Sequence, residues 1–132
     1  MFLEIKNTTI GYQKPLISEV NASLDFGDVC LLIGNNGVGK TTLIKSILNQ
    51  IPTLKGDIFI NDKNVKKLTD KEIAEQIAVV FSKAQIPANY TTEDLISLGK
   101  FIHLPYYYQL EKEDLEDVNN IISQLKLEEY RT

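Results

Sequence analysis

The chain has 132 residues, of which 43% are hydrophobic and 24% are charged, as in an ordinary folded domain. Eighteen acidic and fourteen basic residues give a net charge of −4, which argues against nucleic-acid binding because that function usually needs clustered positive charge. The N-terminus lacks the apolar core of a signal peptide, and no run approaches the ~20 apolar residues of a membrane span. We therefore expect one folded domain whose attachment to any membrane depends on a partner.

The N-terminal part of the chain alternates apolar and polar residues, as half-buried strands do. The pattern predicts strands over Phe2–Ile10 and Val20–Phe26, with a turn-like segment at Gly11–Pro15 between them. We expect these strands to pair antiparallel. The next segment, Val29–Ile33, is apolar throughout, which is typical of a strand buried on both faces of a parallel sheet. Its Cys30 is expected to be a small buried hydrophobic residue.

Strands and helices alternate in the rest of the chain, which indicates an α/β fold. Apolar spacing and capping residues predict, in order, a helix over Thr41–Leu48, a strand over Gly56–Ile60, a short helix from Thr69 or Asp70 to about Gln76, a buried parallel strand over Ile77–Phe81, a helix beginning at Thr91 and a helix over Glu113–Lys126. Asp94 follows Thr91 by three residues, as in a capping box.

The segment Gly34–Thr41 satisfies the pattern G-x-x-x-x-G-K-[ST] of phosphate-binding loops. Its glycines let the backbone bend around an anion, while backbone N–H groups and the positive end of the following helix attract a triphosphate. We expect Lys40 to reach the β- and γ-phosphates and Thr41 to offer its hydroxyl to Mg²⁺. The motif follows the predicted buried strand and opens the predicted helix, the structural context that the pattern requires. The sequence therefore predicts phosphate binding at this loop.

The residues around the loop narrow the class of nucleotide-binding protein. Gly34-Asn35-Asn36-Gly37-Val38-Gly39-Lys40-Thr41-Thr42 resembles the G-P-N-G-x-G-K-S/T-T form of ATP-binding cassette (ABC) proteins. It departs from that form at Asn35, where the family usually has proline. The resemblance implies that these residues bind ATP, with Lys40 in a catalytic role and Thr41 as a ligand of Mg²⁺.

Two further positions are assigned only through the resemblance. The family carries an aromatic residue upstream of the loop, and Tyr12 matches it, which implies stacking on adenine; an exposed turn tyrosine is the alternative. The family also has a glutamine after the strand that corresponds to Ile77–Phe81, which senses Mg²⁺ and the membrane subunits. Ser82 occupies the matching position, and Gln85 either takes this role or is a solvated surface amide.

The segment Thr91–Lys100 resembles the start of the helical subdomain in importers for iron chelates and cobalamin. The resemblance implies a P-loop NTPase fold, with a mainly parallel core sheet, an N-terminal antiparallel β layer and an incomplete helical subdomain. It divides the chain into an ATP-binding core over residues 1–90 and the start of the helical subdomain over residues 91–132. The run Tyr106-Tyr107-Tyr108 fits a packed or partner-facing loop.

For function, the resemblance implies an ATP-binding subunit that couples Mg-ATP binding and hydrolysis to solute transport, with iron-siderophore or cobalamin uptake as the subtype. The implied partners are integral-membrane subunits and a second copy of the cassette, with no nucleic acid, and the implied location is the cytoplasmic, inner face of the cell membrane. A soluble ATPase of the same family, acting in DNA repair or translation, stays open as an alternative.

The later motifs of the family are absent from this sequence. They include the L-S-G-G-Q signature and an apolar strand that ends in Asp-Glu. These groups supply part of the positioning and charge stabilisation that phosphoryl transfer needs. We therefore expect the chain to be an incomplete cassette that binds ATP without turnover, while its full-length parent is an ATPase.

Overall fold

The computed structural model describes residues 1–104 and 109–132. These residues form two units, Met1–Ile77 and Ala78–Thr132. The interpretation of Tyr106-Tyr107-Tyr108 as a packed or partner-facing loop lies outside the described residues.

An antiparallel sheet forms the frame of the first unit. Its strands are β1 (Leu3–Gly11), β2 (Pro15–Leu24), β3 (Lys55–Ile60) and the short β4 (Lys63–Asn64), in the order β2-β1-β3-β4. Leu3 lies opposite Leu24 of β2, and Ile5 lies opposite both Ala22 of β2 and Ile58 of β3. The predicted antiparallel layer is confirmed, and the predicted strand at Gly56–Ile60 joins it on the other side of β1.

The apolar core of the first unit lies between this sheet and its helices. Ile58 and Ile60 of β3 are fully buried, and they share a face because alternate residues of a strand point the same way. Helix α1 (Lys40–Ile47) contacts β1 and, with the turn after it, adds the buried residues Leu43 and Leu48. A 3-10 helix (Val65–Lys67) and helix α2 (Asp70–Ala74) complete the unit. Apolar packing thus fixes α1, whose first two residues are the last two of the phosphate-binding motif, to the sheet.

The two predicted parallel strands are not formed. Val29–Ile33 and Ile77–Phe81 lie outside the helices and strands of the structure. Val29 and Val80 are 98% and 99% exposed, and Cys30 is exposed instead of buried. A doubly buried strand needs hydrogen-bonding neighbours at its edges and cover on both faces, which the described residues do not supply to either segment. The predicted mainly parallel core sheet is therefore absent from the part of the chain that the structure describes.

Helices α3 (Thr92–Phe101) and α4 (Lys112–Gln124) and a 3-10 helix (Glu128–Tyr130) make up the regular structure of the second unit. α3 contacts α4. Val118 and Ile122 of α4 are buried, although the predicted apolar face also includes Leu115, Ile121 and Leu125, which are exposed. Lys100 of α3 forms ion pairs with Asp114, at 3.5 Å, and with Asp117. Within the described residues, no helix combines the length and apolar character of a membrane span.

Both helix starts that the sequence predicted from threonine caps are confirmed. The backbone N–H of Glu72 donates to Thr69 Oγ1 at 3.2 Å, and that of Thr69 donates to Glu72 Oε2 at 2.8 Å. The same reciprocal pair joins Thr91 and Asp94, at 3.0 and 2.9 Å. Each box satisfies backbone donors that the first turn of a helix otherwise leaves unpaired.

Candidate phosphate-binding site

The loop that begins at Gly34 runs into α1 through two glycines with left-handed backbone conformations. The φ angles are +81° at Gly37 and +115° at Gly39, values that favour glycine because a Cβ clashes with the backbone there. A turn precedes Gly39: the N–H of Val38 donates to the carbonyl oxygen of Asn35 at 3.3 Å. The shape of the loop therefore favours glycine at positions 37 and 39.

Lys40 closes the loop from its far end. Its ammonium group donates to the carbonyl oxygens of Gly34 and Asn35, the second at 3.0 Å. The side chain thus connects the first helical residue of α1 to the first two residues of the motif. Because Asn35 accepts through its backbone, the contact does not depend on the side chain that replaces the proline of the family form. The Lys40 ammonium group therefore closes the loop and places a positive charge against its first two residues.

The start of α1 carries unpaired backbone donors. Gly39 is the N-cap residue and has no side-chain acceptor, and the first turn contains no acidic residue. The first intrahelical bond runs from the N–H of Leu43 to the carbonyl oxygen of Gly39, at 2.9 Å. The N–H groups before Leu43 therefore point out of the helix without a side-chain partner, where the positive end of the helix dipole also favours an anion.

A concavity of about 180 Å³ lies at this end of the helix. It is lined by Leu16, Asn36, Gly37, Gly39, Lys40, Thr41 and Thr42. Sites that enclose a whole drug-sized ligand measure roughly 300–1,000 Å³, so this concavity has room for phosphate groups and leaves the rest of a nucleotide outside. Its lining of backbone donors and one ammonium group fits a polyphosphate chemically.

The two threonines at the end of the motif differ in exposure. Thr41 is exposed, whereas Thr42 is buried and its carbonyl oxygen accepts a hydrogen bond from Ser46 Oγ at 2.9 Å. Mg²⁺ is usually held by one or two protein oxygens together with phosphate oxygens, and the Thr41 hydroxyl fits that arrangement. No group of three or more His, Cys, Asp and Glu side chains in the described part of the chain is placed to hold a metal by itself.

Tyr12 lies in the turn between β1 and β2 and is 62% exposed. It belongs to the same unit as the loop, but Leu16, four residues later, is the residue of this hairpin that lines the concavity. The sequence analysis missed Leu16, because an apolar residue in an alternating strand is indistinguishable from a core residue. The exposed ring of Tyr12 has the accessibility that stacking requires, and its adenine contact remains a prediction.

Ser82 and Gln85 belong to the second unit, in the segment before α3. Both residues are exposed. Exposure agrees with a sensing role and equally with a solvated amide, so their assignment also remains a prediction.

A larger concavity, of about 710 Å³, lies in the second unit among residues of α3, α4 and the C-terminal segment. Arg131 in its wall forms an ion pair with Glu93, with Nε and Oε2 2.8 Å apart. The carboxylate of Glu93 therefore offsets the positive charge of Arg131. This concavity is the larger of the two, but the described residues of its wall lack the run of backbone donors that binds an anion. The smaller concavity at the start of α1 is therefore the candidate phosphate site.

Comparison with known proteins assigns the family. The family model described as ABC transporter matches residues 17–132, a span that includes the loop, α1 and all of the second unit. This chain belongs to the ABC transporter family. The match confirms the resemblance that the phosphate loop and its flanking residues had indicated.

Two curated relatives illustrate the relationship. The chain is 29% identical over 129 residues to the petrobactin import ATP-binding protein FpuD of Bacillus anthracis, covering 97% of the chain and 47% of the relative. It is 28% identical over 129 residues to the iron(3+)-hydroxamate import ATP-binding protein FhuC of Bacillus subtilis, covering 97% of the chain and 48% of the relative. The chain therefore spans about half the length of these relatives.

A solved structure of an ATP-binding subunit of an ABC transporter superposes on this ABC transporter chain with a TM-score of 0.81 and 25% sequence identity. The match covers 99% of the chain and 53% of the solved structure. The described sheet and helices thus correspond to part of an ABC cassette, and the α/β, P-loop NTPase fold class is confirmed at that level.

Proposed function

We propose that this chain is the phosphate-gripping part of the ATP-binding subunit of an ABC transporter. The observation that carries the proposal is the closed loop at the start of α1, where Lys40 donates to the carbonyl oxygens of Gly34 and Asn35 and the first-turn N–H groups have no side-chain acceptor. Backbone donors and a cation that are already in place lose little freedom when a triphosphate binds, which favours affinity. The family match supports ATP as the nucleotide.

In this proposal each residue of the motif has a defined task. The loop residues Gly34, Asn35, Asn36, Gly37, Val38 and Gly39 wrap the phosphates, and Lys40 offsets their charge. Thr41 orients a Mg²⁺ ion through its exposed hydroxyl, and Thr42 contributes at the helix start. Tyr12 stacks on adenine, and Ser82 or Gln85 responds to the bound nucleotide. Mg²⁺, when bound, would offset the negative charge of the phosphates.

We infer that the parent protein hydrolyses ATP and works with integral-membrane subunits and a second copy of the cassette, at the inner face of the membrane. Residues 1–90 form its ATP-binding core and residues 91–132 begin its helical subdomain. The names of the relatives, which are import proteins for petrobactin and for iron(3+)-hydroxamate, support a ferric chelate as the solute. They favour transport over the alternative of DNA repair or translation. The chain alone is proposed to bind ATP without turnover, because it spans about half of those relatives.

Calorimetric titration of the purified chain with Mg-ATP tests the proposal. Lys40→Ala removes the cation and the loop closure, so we expect affinity to fall by about 10- to 100-fold, the range for lost hydrogen bonds to a charged group. Tyr12→Ala should weaken binding of ATP, and phosphate release measured in the same samples should stay at background.

Lys45→Ala is the matched control, because it removes the same charge from the last turn of the same helix. It should leave the dissociation constant unchanged. Equal affinity of the wild-type chain and Lys40→Ala would refute the assignment of the loop. Steady turnover by the chain, abolished by Lys40→Ala, would refute the proposal that it binds without hydrolysis.

A further inference from the structure

The last glycine of the loop is covered by a side chain from the hairpin. A Cβ built on Gly39 would lie 3.0 Å from Ile17 Cδ1, 3.2 Å from Ile17 Cγ1 and 3.7 Å from Leu16 Cβ. Ile17 therefore occupies the space directly over the Gly39 backbone. Gly39 is buried, while the loop residues 34–38 before it are exposed.

Ile17 also belongs to the core of the first unit. It is a half-buried residue of β2 that packs against the buried apolar cluster, and it lies opposite Ile10 of β1, which is fully buried. One side chain thus touches both the core and the last residue of the loop. The core holds the Ile17 side chain in place, and its close packing against Gly39 restricts where the Gly39 backbone can lie.

The position of Gly39 sets the geometry of the site. It is the N-cap of α1 and holds the left-handed conformation through which the loop enters the helix. The next residue, Lys40, reaches back to the carbonyl oxygens of Gly34 and Asn35. A shift at Gly39 therefore moves both the first-turn N–H groups and the base of the Lys40 side chain.

We propose that Ile17 is a positioning residue for phosphate binding. Its side chain packs on Gly39 and fixes the start of α1, so that the donors of the first turn and the Lys40 ammonium group face the phosphates together. This inference rests on the proposed function, since it concerns the same loop. Ile17 does not line the concavity itself; Leu16 does.

Val20 provides a matched control on the same strand. It is half-buried and packs against the same core cluster as Ile17, and it lies opposite Thr8 of β1. It is not among the atoms nearest to Gly39. Val20→Ala therefore measures how lost core packing by β2 affects ATP binding when the contact with Gly39 is kept.

The experiment measures the dissociation constant of Mg-ATP and the melting temperature of the chain and its variants. Ile17→Ala should raise the dissociation constant roughly tenfold, below the ~10²-fold that a misplacement of about 1 Å can cost at a reacting centre. Val20→Ala should leave it unchanged, even where both variants melt earlier. Ile17→Val keeps the Cγ1 contact and should recover most of the affinity. If the alanine variant does not fold, the contact is tested on the wild-type chain by nuclear magnetic resonance.

Nuclear magnetic resonance gives a readout that does not need the nucleotide. The Ile17 δ1 methyl should show a nuclear Overhauser effect to the Gly39 α protons, and Ile17→Val should shift the Gly39 amide signal while Val20→Ala does not. Absence of that effect in the folded chain overturns the inference.

The binding data separate this inference from the proposed function. If Lys40→Ala weakens binding while Ile17→Ala and Ile17→Val bind as the wild-type chain does, Ile17 has no positioning role and the loop assignment stands. If equal losses follow Ile17→Ala and Val20→Ala, Ile17 acts only as a core residue and the inference is overturned. If Lys40→Ala binds as well as the wild-type chain, the proposed function itself fails.

Discussion

Gly56 lies against the backbone of Lys6, so close that a Cβ built on it would be 2.4 Å from the Lys6 carbonyl oxygen. The contact occurs where β3 pairs with β1, next to the pairing of Lys6 with Asp57. Gly56 also has a φ angle of +74°. We expect Gly56→Ala to reduce the free energy of unfolding by at least about 2 kcal/mol, since backbone strain and the clash add. Urea denaturation followed by circular dichroism measures the loss.

Gly99 is the control for that prediction. It lies within α3, and a Cβ built on it would meet no atom within 4 Å. Gly99→Ala should therefore stabilise the chain, by about 0.5–1 kcal/mol, because alanine favours a helix over glycine. Equal and small effects of the two substitutions would contradict the close approach of β3 to β1.

The glycines of the phosphate loop should differ in their tolerance of a side chain. A Cβ at Gly37 meets no atom within 4 Å, whereas a Cβ at Gly39 meets the side chain of Ile17 at 3.0 Å. Gly37→Ala thus brings only backbone strain, about 1–3 kcal/mol. Gly39→Ala brings strain and a clash, and we expect it to weaken Mg-ATP binding more than Gly37→Ala does. A titration in which Gly37→Ala is the weaker binder would contradict this order.

The capping boxes predict how stability responds to acid. The pKa of Asp94 is lowered from its usual 3.8 by hydrogen bonds from Thr91, first the backbone N–H and then the hydroxyl. The pKa of Glu72 is lowered from its usual 4.5 by the same two groups of Thr69. A lowered folded-state pKa stabilises the fold above the usual value, and the stabilisation is lost as the pH falls through the folded-state value.

Asp94→Asn removes the titrating group of the second box. Its melting temperature should therefore fall less steeply than that of the wild-type chain as the pH decreases from about 5 to about 3. Thr91→Ala removes the cap and should lower the free energy of unfolding by about 1 kcal/mol at neutral pH. If the melting temperatures of Asp94→Asn and the wild-type chain fall equally with pH across this range, the protonation of Asp94 is not coupled to folding.

Residue patterns within short segments predicted most of the local structure, that is, the helix caps, the helices and the antiparallel strands. The caps at Thr69 and Thr91, the helix at the end of the motif and the strand β1 all depend on residues a few positions apart, and the structure confirms each. The same reasoning predicts phosphate binding at residues 34–41, because the glycines and the lysine of the motif act through the backbone of one short segment.

Contacts between distant segments were not predictable in this way. Nothing in the hairpin sequence distinguishes Ile17, which lies on Gly39, from Val20, which does not, since both are apolar residues of one strand. The apolar run at Val29–Ile33 predicted a buried strand, but burial depends on neighbours that the run itself does not specify. In the structure the described residues leave this run exposed.

That exposure leads to the last prediction, which concerns self-association. Val29, Leu31 and Ile33 are 98%, 79% and 81% exposed, and contiguous apolar surface of this kind promotes association in water. We expect the chain to bind a hydrophobic dye and to sediment as species larger than a monomer. Val29→Thr combined with Leu31→Thr should reduce both signals. Val29→Ile combined with Leu31→Ile preserves the apolar surface and should not, whereas equal behaviour of the two double variants would place the association surface elsewhere on the chain.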